Sequence, residues 1–309
     1  MTILNFEADG FSLNAKERWA SIGKYVETNI HTFKELPELA DVEIIIVRLK
    51  TYIGKGIIDF FPNLKYVITA TTGLDHIDLD SLNLKGISVI SLKGETEFLN
   101  TISSTSEHTW ALLLSLIRNI PTACASVSKG HWDRDKFKGI QLKRKSIGII
   151  GLGRTGKMIA QYAQVFGMDV NYFDPFVADT SFIKHQSLES LLRVSDVVTI
   201  HVHLQKDTEN LLNKEMISLM KEGSYLINTS RGKLVDEKAL VDQLKSGRLK
   251  GIATDVLASE LTGVNESDLY KAMMNGLNVI ITPHIGGATW DAMHLCEEFI
   301  VNKLINKYY

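Results

Sequence analysis

The segment SIGIIGLGRTGKMIAQYAQVF, residues 146–166, decides the fold of this chain. The apolar, β-rich run SIGII leads directly into the glycine loop GLGRTG, and the loop leads directly into an amphipathic helical pattern. Gly151 permits the tight turn, Gly153 lets backbone N–H groups approach a pyrophosphate, and Gly156 allows helix and strand to pack closely. The helix N-terminus adds a positive dipole at the phosphates. The segment therefore predicts a dinucleotide-binding unit; the alternative is a glycine-rich turn without a ligand.

Short apolar strands alternate with helical patterns from this segment onward. The predicted strands are SIGIIG (146–151), DVNYFD (169–174), DVVTIHV (196–202), SYLINT (224–229), GIATDV (251–256) and NVIITP (278–283). A weaker version of the pattern precedes them, with predicted strands ILNFEA (3–8), EIIIVRL (43–49), KYVITATT (65–72) and GISVISL (86–92). Such alternation indicates parallel sheets covered by helices on both faces. We therefore predict an α/β fold, a doubly wound parallel-sheet (Rossmann) domain preceded by a second, smaller α/β unit.

The composition is that of an ordinary globular protein. The chain has 309 residues, a formal net charge of −2, 45% hydrophobic residues and two cysteines, Cys124 and Cys296. The near-neutral charge gives no electrostatic footprint for nucleic acid or an anionic membrane surface. Met1 leads into polar TILNFEADG, which lacks the basic and apolar regions of a signal peptide, and two distant cysteines fit a reducing compartment. We expect a cytoplasmic protein without nucleic-acid or membrane partners.

Asp174 closes the strand that follows the glycine-loop helix. A carboxylate at this point can accept hydrogen bonds from both ribose hydroxyls and would repel a 2′-phosphate. Asp174 therefore predicts a preference for NAD over NADP. The alternative is that FDP (173–175) simply ends the strand in a turn.

Three polar side chains follow apolar strands at points where those strands end. Arg231 follows SYLINTS, Glu260 lies shortly after GIATD, and His284 follows NVIITP. Because parallel strands end on one edge of a sheet, these residues should lie on the edge that carries the glycine loop. Hydride transfer between a nicotinamide and a 2-keto acid needs three groups: an acid at the carbonyl oxygen, a fork of donors for the substrate, and a carboxylate to orient the acid.

The three side chains fit those needs. We assign the acid to His284, the donors to Arg231 and the orienting carboxylate to Glu260, while Gly286 and Gly287 would clear space beside the imidazole. Taken singly, a surface arginine in a turn, a helix-capping glutamate and a satisfied core histidine are the alternatives.

With these residues in place, the sequence resembles the D-isomer-specific 2-hydroxyacid dehydrogenase family over nearly its whole length. The resemblance is carried by MKEGSYLINTSRGKLVDEKALVDQLKSGRLKGIATDV (220–256), GLGRTG (151–156), TPHIGG (282–287), TTGLDHID (71–78) and SEHTWALLLSLIRNI (106–120). It implies an NAD-dependent oxidoreductase that transfers hydride between a D-2-hydroxy acid and a 2-keto acid. In this family pattern Arg231 is catalytic, and Glu260 is paired with the acid/base His284.

The resemblance also implies binding residues. Backbone N–H groups around Thr72 and Gly73 would bind the substrate carboxylate, Asp255 would contact the nicotinamide amide, and Arg154 and Thr155 would contact the pyrophosphate. The complete predicted cofactor-binding set is Gly151, Gly153, Arg154, Thr155, Gly156, Asp174, His201, Thr208, Thr229, Ser230, Asp255 and Gly287.

The family architecture implies two domains. A flavodoxin-like substrate domain would comprise residues 1–98 and 288–309, and an NAD-binding Rossmann domain would comprise residues 99–287, with a cleft that closes on ligand. The usual assembly is a homodimer built on the long helix, here about residues 104–121.

Several positions leave alternatives open. Leu261 stands where the family commonly has Pro after the catalytic Glu, His203 stands at another common Pro position, and the loop 261–276 is atypical. His201 and His203 could suggest a metal pair, but no third ligand has a sensible spacing, so no metal is predicted.

Arg48 and Lys50 end one strand, point to one side, and could bind a second anionic group of the substrate. The alternative is that Arg48 is structural and Lys50 solvated. Tyr52, Thr72 and Trp132 are further candidates for lining a pocket.

Two other functions also stay open. One is a non-catalytic NAD(H)-sensing regulator similar to the corepressor branch of the family. The other is a formate dehydrogenase, which would be expected to have Gln in place of Glu260.

Overall fold

The computed structural model describes residues 1–179 and 181–308, which form two compact units. One unit combines residues 1–102 with the residues from Ala288 onward, and the other comprises residues 103–287. The first boundary lies at 102/103 rather than at the predicted 98/99. The reason is that Leu99 belongs to the same apolar cluster of the first unit as Leu92 and Ile300.

A parallel sheet with helices on both faces forms the first unit. Its strands are β1 Thr2–Asn5, β2 Lys24–Glu27, β3 Val42–Val47, β4 Tyr66–Thr69 and β5 Ser88–Ile90. Its helices are α1 Leu13–Ile22, α2 Lys55–Ile58, α3 Leu79–Leu84, α4 Thr96–Leu99 and a C-terminal helix, Trp290–Tyr308, with short 3-10 turns at Phe33–Glu35 and Leu39–Asp41. Within the described residues the order β2-β1-β3-β4-β5 is flavodoxin-like.

Burial explains which strands of this sheet the sequence predicts. The central strand β3 reads VEIIIV and is almost wholly buried, as expected when helices cover both faces. The edge strand β2 reads KYVE, and its polar ends are exposed. Because β2 lacks an apolar run, the sequence does not predict it.

A larger parallel sheet forms the second unit. Its strands are β6 Ser146–Ile150, β7 Asp169–Phe173, β8 Ile183–Lys184, β9 Val197–Ile200, β10 Ser224–Asn228, β11 Leu249–Thr254 and β12 Val279–Ile281. Its helices are α5 Ser104–Ile117, α6 Ile120–Val127, α7 Arg154–Val165, α8 Leu188–Val194, α9 Lys214–Ser218, α10 Glu237–Lys245 and α11 Asp268–Met274, with 3-10 turns at Asp135–Phe137, Gly232–Leu234 and Val264–Glu266. Over residues 103–179 and 181–287 the order is β12-β11-β10-β9-β6-β7-β8. This is the doubly wound arrangement, and the predicted fold class is confirmed.

The predicted long helix near residues 104–121 is two helices. Helix α5 ends at Ile117, Asn119 adopts a left-handed backbone with φ of 54°, and α6 begins at Ile120 with Pro121 in its first turn. Proline is tolerated in a first helical turn because that N–H has no intrahelical partner. In the described part of the chain no single helix has the length and apolarity of a membrane span. The segments Thr96–Ile117 and Ile120–Val127 have that length and apolarity only when taken together, and they are bent by 63° where they meet.

The sheet of the second unit brings the candidate residues to one edge. Strands β6, β9, β10, β11 and β12 pair in parallel, so their carboxyl ends share that edge. The glycine loop follows β6, Arg231 follows β10, Asp255 follows β11 and His284 follows β12. Ligands bind at this edge of open α/β sheets.

Candidate active site

The glycine loop has the geometry that the sequence predicts. Gly151 has a φ of 88°, and a Cβ there would lie 2.6 Å from the His201 carbonyl oxygen. A Cβ on Gly156 would lie 2.1 Å from the Gly151 carbonyl oxygen, so the close packing of α7 on the loop requires glycine. A Cβ on Gly153 would meet nothing within 4 Å among the described residues. The loop therefore leaves open space at the first turn of α7, which fits a pyrophosphate at a helix N-terminus.

Asp174 supports both the glycine loop and the turn that follows β7. Its Oδ2 accepts a hydrogen bond from the Leu152 backbone N–H at 2.8 Å. Its Oδ1 accepts hydrogen bonds from the backbone N–H groups of Phe176 at 2.8 Å and Val177 at 3.0 Å. The turn that the sequence left as an alternative is thus present. Asp174 as a whole is 8% exposed, and its carboxylate oxygens have lone pairs beyond these contacts.

The other predicted cofactor residues are tied into the strand ends. The Thr229 hydroxyl contacts the Thr109 hydroxyl of α5 at 2.7 Å, and the Ser230 hydroxyl donates to the Ile200 carbonyl at 2.7 Å. The Thr208 hydroxyl donates to the His203 carbonyl at 2.7 Å and closes a local turn. These contacts shape the backbone along the edge of the sheet.

His201 directly follows β9 and is partly buried. Its Nε2 is 2.9 Å from the hydroxyl of the buried Thr199, and burial lowers the pKa of the imidazole to about 3. The ring is therefore neutral near pH 7, and its Nε2 contacts the strand that precedes it. Among the described residues there is no cluster of three or more His, Cys, Asp or Glu side chains that could hold a metal ion.

Arg231 stands in a tightly built loop after β10. Its Nη1 donates to the Ser230 carbonyl at 2.8 Å, and its own carbonyl accepts from Asn228 Nδ2 at 2.9 Å. The next residue, Gly232, is packed against the loop after β11, since a Cβ there would lie 2.0 Å from the Leu257 carbonyl carbon. The backbone that carries Arg231 therefore touches the backbone that leads to Glu260.

His284 and Glu260 form the predicted pair. His284 Nδ1 lies 3.1 Å from Glu260 Oε2, and both side chains are partly accessible, at 23% and 30%. Because a carboxylate only accepts, Nδ1 carries the hydrogen, which leaves Nε2 directed away from this pair. The His284 backbone is in the left-handed region with φ of 56°, and its N–H donates to the Asp255 carbonyl at 2.9 Å. A non-glycine residue in that region is uncommon, and the hydrogen bond to Asp255 helps to hold it there.

Asp255 is the centre of a hydrogen-bond network that holds the His284 loop. Its side chain is 1% exposed and accepts from the Thr282 hydroxyl, the Ile285 N–H at 2.9 Å and the Gly286 N–H at 2.7 Å. His108 Nε2 lies 3.3 Å from the same carboxylate. Burial opposes ionisation, but the donors from His108, Thr282 and the loop backbone outweigh it and lower the pKa of Asp255.

This network changes the interpretation of two residues. His108 lies in the segment SEHTWALLL, whose sequence indicates no role for it; the contact with Asp255 identifies it. The sequence predicts that Gly286 clears space for ligands, but a Cβ there would lie 3.0 Å from Asp255 Oδ2, so this glycine lets the backbone close on Asp255. A Cβ on Gly287 would meet nothing within 4 Å among the described residues.

Asp255 should make the stability of the second unit depend on pH. A carboxyl whose pKa lies below its ordinary value of 3.8 stabilises the fold above that value and stops doing so as the pH falls through the lowered pKa. We expect Asp255→Asn to cost about 2 kcal/mol or more of unfolding free energy at pH 7, because it removes charge-assisted hydrogen bonds. Urea denaturation of both proteins should show that the difference in unfolding free energy becomes smaller towards pH 3. A difference of constant size would contradict the assignment.

The predicted substrate residues belong to the first unit. Thr72 and Gly73 lie in the loop after β4, where the Thr71 hydroxyl donates to the Gly73 carbonyl at 2.9 Å. The Arg48 guanidinium donates to the carbonyls of Glu7 and Asp9 and lies 3.5 Å from Glu297.

These contacts favour the structural role that the sequence left open for Arg48. The side chains of Lys50 and Tyr52 are exposed, as is that of Trp132 in the second unit.

A glycine loop on a central strand of a doubly wound sheet defines a dinucleotide-binding α/β protein. The chain belongs to the D-isomer specific 2-hydroxyacid dehydrogenase family: residues 110–286 match its NAD binding domain and residues 11–111 match its catalytic domain.

Individual relatives agree with this membership. The D-3-phosphoglycerate dehydrogenase of Bacillus subtilis is 37% identical over 270 residues, covering 86% of this chain and 48% of that protein. The hydroxypyruvate reductase of Thermotoga maritima is 31% identical over 305 residues, covering 98% of this chain and 95% of that protein. The D-lactate dehydrogenase from Aquifex aeolicus, solved with NAD and lactic acid, has a TM-score of 0.84 at 29% identity and covers 99% and 95% of the two chains. The chain spans about half the length of the curated D-3-phosphoglycerate dehydrogenases it matches.

Proposed function

We propose that this protein is an NAD-dependent D-2-hydroxyacid dehydrogenase that reduces a 2-keto acid with NADH. The observation that carries the proposal is the His284–Glu260 pair, at 3.1 Å, on the sheet edge that also carries the glycine loop and Arg231. An imidazole oriented by a carboxylate is the group that such a reaction needs beside the carbonyl.

The proposed roles follow from the donors and acceptors of each side chain. When bound, NADH supplies the hydride that reaches the carbonyl carbon. For this reduction His284 must carry a hydrogen on both nitrogens: it donates the Nε2 proton to the carbonyl oxygen and is left as the neutral Nδ1–H ring, while Glu260 accepts from Nδ1 throughout and keeps the ring in one orientation. Arg231 donates to the substrate carboxylate and carbonyl through its planar guanidinium. Backbone N–H groups around Thr72 and Gly73 would bind the carboxylate, a role that stays a prediction.

The glycine loop and the strand ends hold the cofactor in this proposal. The open space beside Gly153 and the first turn of α7 receive the pyrophosphate, with Arg154 and Thr155 at the helix start. His201, Thr208, Thr229, Ser230 and Gly287 would line the remainder. Asp255 would accept a hydrogen bond from the nicotinamide amide at Oδ2, which has a lone pair beyond the one that accepts from the Gly286 N–H.

Two observations favour hydroxypyruvate over a phosphorylated keto acid as the substrate. The candidate cation Arg48 is committed to backbone carbonyls and Glu297. A relative matched along nearly its whole length is named a hydroxypyruvate reductase, whereas the phosphoglycerate enzymes are matched over about half of theirs.

The decisive experiment is NADH oxidation, followed at 340 nm, against hydroxypyruvate, 3-phosphohydroxypyruvate, glyoxylate and pyruvate. We expect the highest kcat/KM with hydroxypyruvate. In the reverse direction we expect no reduction of NAD by formate. Tight NADH binding without turnover of any acid would instead favour a non-catalytic NAD(H)-sensing regulator. A clear preference for the phosphorylated acid would contradict the substrate assignment but not the reaction.

Asp174 should set the preference for NADH over NADPH. A buried negative charge beside the ribose would repel a 2′-phosphate. Asp174→Asn removes that charge and keeps the shape of the side chain and its acceptor for the turn, but its Nδ2 cannot accept from the Leu152 N–H. We expect the ratio of kcat/KM for NADPH to that for NADH to rise about tenfold, equivalent to about 1.4 kcal/mol. Steady-state kinetics with both cofactors measures the ratio. An unchanged ratio would mean that Asp174 acts only through the turn.

We also propose a homodimer that uses the surface around α6. This helix reads IPTACASV, and none of its residues is buried in the single chain. Val127 and, shortly after the helix, Trp132 are exposed at 52% and 89%. Exposed apolar side chains grouped in this way are typical of a contact between chains. Sedimentation velocity should find a dimer for the wild type and a monomer for Trp132→Asp; equal sedimentation of both proteins would place the contact elsewhere.

A further inference from the structure

We propose that Glu237 is a positioning residue that closes the loop carrying Glu260 and so holds Glu260 against His284. Glu237 Oε1 accepts a hydrogen bond from the Ala258 N–H at 3.0 Å, and Oε2 accepts one from the Ser267 hydroxyl at 2.6 Å. Ala258 and Ser267 are the two ends of the loop that contains Glu260. One carboxylate therefore joins both ends, and we call this contact the clasp. The role rests on the proposed function.

Apolar packing does little to hold the loop in place. None of residues 258–266 is buried, and Leu261, directly after Glu260, is 56% exposed. A leucine at 261 also leaves φ unrestricted, unlike a proline. Burial begins only at the ends, with Leu257 and Ser267 at 7% and 3% exposure. The position of the loop thus depends on polar contacts at its ends.

The loop is internally bonded, so its ends determine where its middle lies. The Ser259 carbonyl accepts from the backbone N–H groups of Thr262 at 3.0 Å and Gly263 at 2.8 Å. The Thr262 hydroxyl donates to Glu266 at 2.7 Å. A compact loop of this kind moves as one body when its ends are released.

Glu237 itself stands on a fixed base. It is the first residue of α10, which begins at the N-cap Asp236 and buries Ala239, Leu240 and Val241 among other residues. Arg231 lies shortly before Glu237 in the sequence. The residue after Arg231, Gly232, packs against Leu257 at the start of the loop. Glu237 and Gly232 therefore tie the Arg231 loop and the Glu260 loop into one unit.

The test compares variants of Glu237 that differ only in reach or charge. Glu237→Asp keeps the charge at the helix start but draws the carboxylate back by one methylene, so it cannot reach both ends. Glu237→Gln keeps the reach and can accept from Ala258 while its amide donates to Ser267. We expect E237D to lower kcat about tenfold with the KM for NADH unchanged, because a displaced Glu260 no longer orients His284. We expect E237Q to stay within about twofold of the wild type. The matched control is Glu215→Asp, another acid in a first helical turn.

A second measurement needs no substrate. The nitrogen shifts of His284 in histidine-labelled protein at pH 9 report which ring nitrogen carries the hydrogen. The wild type and E237Q should show the Nδ1–H form, and E237D should shift towards the Nε2–H form. Ser267→Asp keeps a good helix N-cap, places a carboxylate against Glu237, and should give the same shift. If the wild type reduces no keto acid, the proposed function fails while this comparison still decides the clasp. An unchanged tautomer and kcat in E237D, or an equal loss in E237Q, would overturn the proposal.

Discussion

Replacing His284 with Gln is expected to lower kcat for the reduction of a 2-keto acid by about a thousandfold, within the range by which general acids accelerate reactions. Glutamine preserves the volume of the side chain and can still donate a hydrogen bond to Glu260. It cannot transfer a proton from the position of Nε2. NADH binding should change little, because the backbone at residue 284 is held by Asp255 rather than by the imidazole. Stopped-flow oxidation of NADH measures the chemical step.

Two comparisons decide what that result means. His31→Gln removes an exposed histidine of the first unit and should leave kcat unchanged. Glu260→Gln keeps the contact with Nδ1 but removes the charge, and it should cost about tenfold in kcat, less than the loss of the acid itself. If H284Q retained more than a tenth of the wild-type kcat, His284 would not be the proton donor, and the proposed mechanism would fail even with NADH bound.

Contacts between residues close in sequence explain why so much of the fold could be predicted. The strand–loop–helix unit around Gly151 needs only residues 146–166, because the turn, the helix start and the packing of Gly156 are all local. The alternation of apolar strands and helices likewise predicts parallel sheets, and with them the edge on which Arg231 and His284 lie. What local patterns miss are marginal elements, such as the two-residue strand β8 and the break at Asn119.

Side-chain networks between distant elements could not be predicted for the opposite reason. His108 and Asp255 come from α5 and the end of β11, and nothing in either motif indicates that they meet. Glu237 reads as an ordinary first-turn helix acid until both ends of the Glu260 loop are seen to bond to it. Arg48 illustrates the opposite error. Its position near Lys50 suggests an anion site, but its guanidinium donates to the carbonyls of Glu7 and Asp9, which follow a different strand.

Gly156→Ala should destabilise the second unit through a clash inside the glycine loop. The new Cβ would lie 2.1 Å from the Gly151 carbonyl oxygen, a backbone atom that cannot move without shifting α7 against β6. Overpacking of this kind costs about 1–3 kcal/mol or more, whereas alanine in a helix gains only about 1 kcal/mol over glycine. We expect a net loss of about 1–2 kcal/mol in unfolding free energy, measured by urea denaturation, together with weaker NADH binding because the loop is displaced.

Gly153→Ala separates the packing role of the loop from its binding role. A Cβ there meets nothing within 4 Å among the described residues, and φ of −74° suits any L-residue, so stability should match the wild type. The methyl group would nevertheless stand where the pyrophosphate approaches the backbone and would hold it off the N–H groups of α7. We expect the Kd for NADH, measured by fluorescence quenching, to rise about tenfold or more, since losing one charge-assisted hydrogen bond costs at least about 1.4 kcal/mol. Normal NADH affinity in G153A would show that the open space beside Gly153 is not the phosphate site, whatever the effect of G156A, because only the first variant leaves the packing untouched.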